Sequence, residues 1–135
     1  KPSAPIEEYG QFIIKNGVYF LGLYTSTLKP YFRYFDSGGN LSNMMPSTLA
    51  LTQNEWSHVI ITFNGTHVTI YINGVGQTPI ASTVGSTIRA TAAHVNIGSD
   101  AGTATQYKGL IDEVRIYNRA LSASQAKALY EQGLP

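Results

Sequence analysis

Residues 56–74 read Trp56-Ser57-His58-Val59-Ile60-Ile61-Thr62-Phe63-Asn64-Gly65-Thr66-His67-Val68-Thr69-Ile70-Tyr71-Ile72-Asn73-Gly74. Two runs rich in β-branched and aromatic residues flank Asn64-Gly65-Thr66, and the second stops at Asn73-Gly74. A period of two puts Val59, Ile61 and Phe63 on one face of the first run, and Val68, Ile70 and Ile72 on one face of the second. The pattern predicts strands over 56–63 and 67–72, joined as an antiparallel hairpin with one buried face. Burying those six side chains is worth roughly 1.5–3 kcal/mol each before chain entropy is subtracted.

Working outward, the same alternation recurs. Gly109-Leu110-Ile111-Asp112-Glu113-Val114-Arg115-Ile116-Tyr117-Asn118-Arg119-Ala120-Leu121-Ser122 predicts a last strand over 110–117. Upstream, residues 11–15 and 18–25 read as strands around Asn16-Gly17, a dipeptide suited to a tight hairpin turn. Residues 28–36 form another, with Pro30 pointing to an edge or a bulge. A loop over 36–40, a short strand within 44–52, a weak region of short strands and turns over 74–85, a short strand over 93–97 and a loop over 98–106 complete the β part. One helix follows. Ser122 is a good N-cap and Gln125 stands three residues on, as a capping box requires. Leu121 and Ala126 occupy the staple positions, Leu129 and Tyr130 form the inward stripe, and Gly133 is expected as the glycine after the last turn. About three turns of helix are marginal alone and must dock on the sheets.

The chain has 135 residues, enough for one domain with a core. Residues 1–8, Pro-rich and polar, read as a linker or processed end, and 9–135 as the domain. A net charge of +1 sets up no broad field to draw nucleic acid or an acidic membrane. Charged residues are 13% of the chain, about half the usual share. Hydroxyls and amides replace them, as in many secreted β-proteins. The absence of cysteine removes disulfides and thiolate metal sites. No apolar run reaches the roughly 20 residues that span a bilayer.

The Trp56-Ser57-His58-Val59 block, the Tyr71-Ile72-Asn73-Gly74 block and the closing block from Gly109 to Ser122 resemble the laminin-G-like branch of the concanavalin A-like lectin/glucanase superfamily, in its prokaryotic extracellular form. The likeness covers about residues 10–131. It implies an all-β fold, an antiparallel two-sheet jelly-roll sandwich with one short C-terminal helix, on a secreted or cell-surface protein. It also implies some fifty further residues at the start, including a strand that lies beside the closing one. Three arrangements would account for that departure: the chain is a fragment of a longer protein, its first fifteen residues fold back, or a neighbouring subunit donates the strand. An uncovered edge invites self-association.

Catalytic relatives carry a Glu-x-Asp-x-x-Glu strand, and none of the eight acidic residues falls in that pattern. Asp112 and Glu113 are adjacent, so on a strand they point to opposite faces. No enzyme is expected. Sharing a face with Leu110, Val114 and Ile116, Asp112 is expected to be partly buried, either as a structural carboxylate or, with Asp100, as a ligand of the calcium many relatives bind. Nine of the fifteen aromatic residues fall between Tyr9 and Phe35. On Tyr31-Phe32-Arg33-Tyr34-Phe35 one side must be core, and the other presents either Tyr31 with Arg33 or the Phe32–Tyr34 pair. The cluster reads as core packing together with the footprint of the missing strand, as a glycan platform, or as a protein interface; on the glycan reading Tyr24, Tyr31, Arg33 and Tyr34 are the candidate sugar-binding residues. The expected function is a non-catalytic carbohydrate-binding or adhesion module that binds a glycan or cell-surface polysaccharide. The alternative is a structural subunit of an extracellular filament or surface assembly.

Overall fold

The computed structural model describes Pro2 and residues 9–99 and 105–133. Nine strands and one helix follow in order: β1 (Tyr9–Lys15), β2 (Tyr19–Tyr24), β3 (Lys29–Tyr34), β4 (Met45–Pro46), β5 (Val59–Phe63), β6 (His67–Ile72), β7 (Val75–Gly76), β8 (Ile80–Ala81), β9 (Val95–Ile97) and α1 (Ala123–Gln132). They build two sheets. The first runs β4-β3-β2-β1-β9; in the second β6 pairs with β5, β7 and β8. Every ladder is antiparallel.

The opening hairpin forms in the expected register. Val59 lies opposite Ile72, Ile61 opposite Ile70 and Phe63 opposite Val68, so the six apolar side chains become three cross-strand pairs on one face. Asn64 makes the turn: its Oδ1 accepts the Thr66 and His67 N–H groups at 3.0 and 2.8 Å. Gly65 supplies a φ of 95°. The first run is shorter than expected. Trp56 and Ser57 precede the strand, because the chain opposite turns away at Asn73-Gly74 and leaves them no ladder. Asn73 closes the hairpin at His58, donating its own N–H and accepting the His58 N–H on Oδ1.

Leu23, Phe32, Tyr34 and Met45 of the first sheet meet Val68, Ile70 and Ile72 of the second, with Leu51 beside them, in one core cluster. The core lies between two antiparallel sheets, which is the expected sandwich. Pro30 sits at the second position of β3 and its carbonyl accepts the Ser47 N–H at 2.8 Å. β1 and β2 are joined through three residues, of which Gly17 alone takes positive φ.

Ser122 caps α1 with both arms of the capping box in place. Leu121 and Ala126 are buried. Gly133 follows the last turn as expected, at φ −89°, and its N–H bonds the carbonyls of Leu129 and Tyr130. Gly74, at φ 76°, lets the helix approach the turn between β6 and β7. A Cβ there would stand 3.0 Å from the Tyr130 ring.

The expected last strand over 110–117 does not form. Among the described residues no strand pairs with it, and only Gly109, at its entrance, is bridged, antiparallel to Pro2. Glu113 takes φ 51° and breaks the extended run. Ile116 is 60% exposed, with Leu110, Val114 and Tyr117 exposed as well. Alternation set two faces for this segment, but among the described residues no strand supplies the ladder that would flatten it.

Candidate functional site

β2 and β3 decide which aromatic rings reach the surface. Their register sets Tyr19 opposite Tyr34, Leu21 opposite Phe32 and Leu23 opposite Pro30 on the core side. Phe20 opposite Arg33, Gly22 opposite Tyr31 and Tyr24 opposite Lys29 fall on the outer side. Of the two sides left open by the sequence, Phe32 and Tyr34 are core, while Tyr31 and Arg33 face outward.

Tyr34 is accordingly removed from any sugar-stacking role. It is 0% exposed. Its hydroxyl donates to the Gly85 carbonyl at 2.7 Å and shares a 2.6 Å bond with the Ser82 hydroxyl. Its ring packs 4.8 Å from Phe63 across the sandwich. A tyrosine goes there, and not phenylalanine, because the ring end meets polar groups of the loop after β8.

Tyr31 faces outward yet is 1% exposed. Gly22 explains this. A Cβ at Gly22 would stand 2.8 and 2.9 Å from the Tyr31 hydroxyl and ring. The ring therefore lies over β2 where no side chain opposes it, and Gln11 Nε2 donates to its hydroxyl at 3.0 Å. The Gln11 Oε1 is buried with no hydrogen-bond partner. Tyr31 is the floor of the patch, and its face is not offered to a ligand.

Half-buried residues form the accessible part. The Tyr24 ring packs 5.1 Å from Tyr31, and its hydroxyl donates to the Met44 sulfur at 2.8 Å. Arg33 donates from Nε to the Ser42 carbonyl at 2.8 Å, which fixes the guanidinium beside the sheet. Phe20 and Phe35 stand next to it with ring centroids 6.1 Å apart. The outer face thus offers apolar rings beside a held guanidinium, the chemistry that stacks on a flat ligand and bonds its hydroxyls.

The acidic residues lie elsewhere. Asp112 is exposed, and not partly buried as expected, because no described strand pairs with its segment. Its Oδ1 accepts the Glu113 N–H at 2.8 Å. Asp100 lies outside the described residues. Calcium takes six to eight oxygens, and Asp112 alone offers one carboxylate. Among the described residues no three His, Cys, Asp or Glu side chains gather as a metal would need. Glu113 pairs with Arg115 at 2.7 Å and Glu131 with Lys127 at 3.7 Å, both on the surface.

Two residues outside the expected set carry local polar structure. The buried Asp36 carboxylate accepts the Asn40 N–H at 2.8 Å, the Asn40 side-chain amide at 3.0 and 3.2 Å, and the Gly85 N–H at 3.0 Å. These bonds hold its carboxyl below the usual range, the Asn40 amide most of all. An aspartate opening a Gly-Gly-Asn turn was the available signal. His58, half-buried against the Tyr130 ring at 5.9 Å, has a buried Nδ1 with no partner. Burial, and then the Arg115 charge, lower its pKa.

Residues 1–127 match the family model for the concanavalin A-like lectin/glucanases superfamily. The chain belongs to this superfamily. No curated protein matches it. Among solved structures it is similar to an S-layer domain-containing protein from Clostridium thermocellum ATCC 27405, at 26% identity and a TM-score of 0.49. That alignment covers 93% of this chain and 65% of the other, so the chain spans less than two thirds of the solved relative's length. The aromatic face of this sandwich is the outer side of β2 and β3. Among the described residues no helix is long and apolar enough to cross a membrane.

Proposed function

We propose that this chain is a non-catalytic carbohydrate-binding module of a secreted or cell-surface protein, with its glycan on the outer face of β2 and β3. The observation that carries the reading is a sheet face on which half-buried Phe20, Arg33 and Phe35 stand together, with half-buried Tyr24 farther along it beyond the Gly22–Tyr31 pair, in a member of a lectin and glucanase superfamily. The C–H face of a pyranose stacks on such rings, and a guanidinium fixed by Ser42 loses little freedom when it bonds hydroxyls. Tyr31, pinned by Gln11 over Gly22, supports the Tyr24 ring from below.

The absence of catalysis belongs to the same proposal. Glycoside hydrolysis needs two carboxyl groups facing one bond. Asp36 is engaged by Asn40 and Gly85, Asp112 and Glu113 are neighbours on an exposed segment, and Glu131 is on the helix. None of these carboxylates belongs to the aromatic face of β2 and β3.

The test is a glycan array read with the parent chain, Tyr24→Ala and Arg33→Ala. The expected outcome is retention of a polysaccharide that both variants lose while keeping the parent's unfolding midpoint. Failure to retain any polysaccharide, or retention indifferent to both substitutions, overturns the reading. Release of reducing sugar from a bound glycan would overturn its non-catalytic part.

A further inference from the structure

The guanidinium of Arg33 is held in place without being used up. Its Nε donates to the Ser42 carbonyl at 2.8 Å, and among the described residues the edge formed by its two Nη atoms has no acceptor. No described carboxylate pairs with it. The ion pairs of the described residues are Glu113 with Arg115 and Lys127 with Glu131, and Asp36 is engaged by Asn40 and Gly85. Phe20 lies opposite Arg33, and its ring is 6.1 Å from that of Phe35, so apolar surface adjoins this cation. A second cation is tethered at the same place. The Arg89 N–H donates to the Phe35 carbonyl at 2.8 Å, and Arg89 is exposed. The cluster stands at the end of the face next to the turn between β1 and β2, beyond the Gly22–Tyr31 pair from Tyr24.

We propose that the glycan taken by this face is acidic, a polysaccharide whose pyranose rings carry carboxylates. The inference rests on the carbohydrate-binding reading and narrows it. With Nε committed to Ser42, the edge left to a ligand is the Nη pair, and its two parallel N–H groups match the two oxygens of a planar carboxylate. A carboxylate joined directly to a ring carbon meets that edge while the C–H face of the same ring lies on Phe20 or Phe35. A sulfate ester is tetrahedral and stands off by a further oxygen, so it brings the ring less close. A neutral sugar of the same shape offers only hydroxyls, and hydrogen bonds in which both partners are charged are roughly twice as strong as neutral ones. Arg89 adds positive charge beside Phe35 and draws the polymer in without fixing its register. The attraction is local, because the whole chain carries a net charge of only +1.

The test is a binding titration of the unmodified chain with two carboxylated polymers, polygalacturonate and hyaluronan. Methyl-esterified polygalacturonate and dextran supply pyranose rings without charge, and dextran sulfate supplies charge without carboxylates. A carboxylated polymer is expected to bind about tenfold more tightly than any of these three, and to weaken as salt is added. Arg33→Gln is expected to weaken it by about tenfold to a hundredfold. Arg33→Lys, which keeps the charge and loses the fork, falls between. Arg115→Gln removes the same charge from a segment away from the face and leaves binding unchanged. Unfolding midpoints that match the parent establish that each variant folds. Neutral polymers bound as tightly as the acidic ones overturn this inference and leave the carbohydrate-binding reading standing. Dextran sulfate bound most tightly, or equal losses for Arg33→Gln and Arg115→Gln, reduces the effect to general charge attraction and also overturns it. Binding of no polymer sinks it too, and a blank glycan array beside that result sinks the reading beneath it.

Discussion

Residues 59–72 and residues 110–117 carry the same alternation of apolar and polar side chains, yet they end in opposite states. In the first, β5 and β6 pair residue for residue and Ile70 is 1% exposed. In the second, no described strand provides a partner, Glu113 kinks the chain and Ile116 is exposed. The pattern states which side chains share a face. It does not state what lies beside the strand or over that face. Hairpins supply their own partner through a turn of two or three residues, so their pattern is sufficient. A segment whose partner is distant in sequence carries the pattern without the means of completing it.

The largest expected effect tests this contrast directly. Ile70→Ala opens a cavity between the sheets and is expected to cost about 2–5 kcal/mol in urea unfolding. Ile116→Ala is expected to stay within about 0.5 kcal/mol of the parent. The backbone should agree, with β6 amides exchanging at the rate of global unfolding and those of 111–117 exchanging early. A large cost at Ile116, or late exchange there, would mean that the closing segment is packed in solution, and the contrast would fail.

A smaller effect separates the two sides of β3. Tyr34→Phe keeps the ring in the core and removes only the hydroxyl that serves Ser82 and Gly85. The expected loss is about 1–3 kcal/mol, the cost of leaving a buried acceptor without its donor. Glycan retention should survive it, because the ring never reaches the surface. Loss of retention at unchanged stability would return Tyr34 to the binding face and reverse the assignment of sides.

The strands up to β6, the helix cap and the buried staple pair were legible in sequence, since each rests on residues close along the chain, whereas the sandwich was legible only through the family resemblance. The choice between the two sides of 31–35 was not. It turned on Gly22, nine residues away, whose missing side chain makes room for the Tyr31 ring. Of the four candidate sugar-binding residues, Tyr24 and Arg33 stand half-buried on the outer side, Tyr31 lies beneath Tyr24, and Tyr34 is core. Asp112 failed as a partly buried carboxylate for the reason its whole segment failed as a strand.

The smallest effect compares two aspartates. Asp36 ties the end of β3 to Gly85 through a carboxylate that accepts both backbone and amide donors. Its folded pKa lies below the ordinary 3.8. The native state therefore binds this proton less readily than the unfolded chain does, so the carboxylate's contribution is full above about 4 and is lost as the pH falls through the folded value. Asp36→Asn should lower stability at neutral pH, because one oxygen facing N–H donors becomes a donor itself. It should also flatten the acid limb of the unfolding midpoint against pH between about 4 and 2. Asp112→Asn, which alters one exposed bond to an adjacent N–H, is expected to stay within about 0.5 kcal/mol at neutral pH. If both substitutions cost the same, the carboxylate of the folded-back turn is no better held than that of the exposed segment, and pairing would not be what distinguishes the two regions.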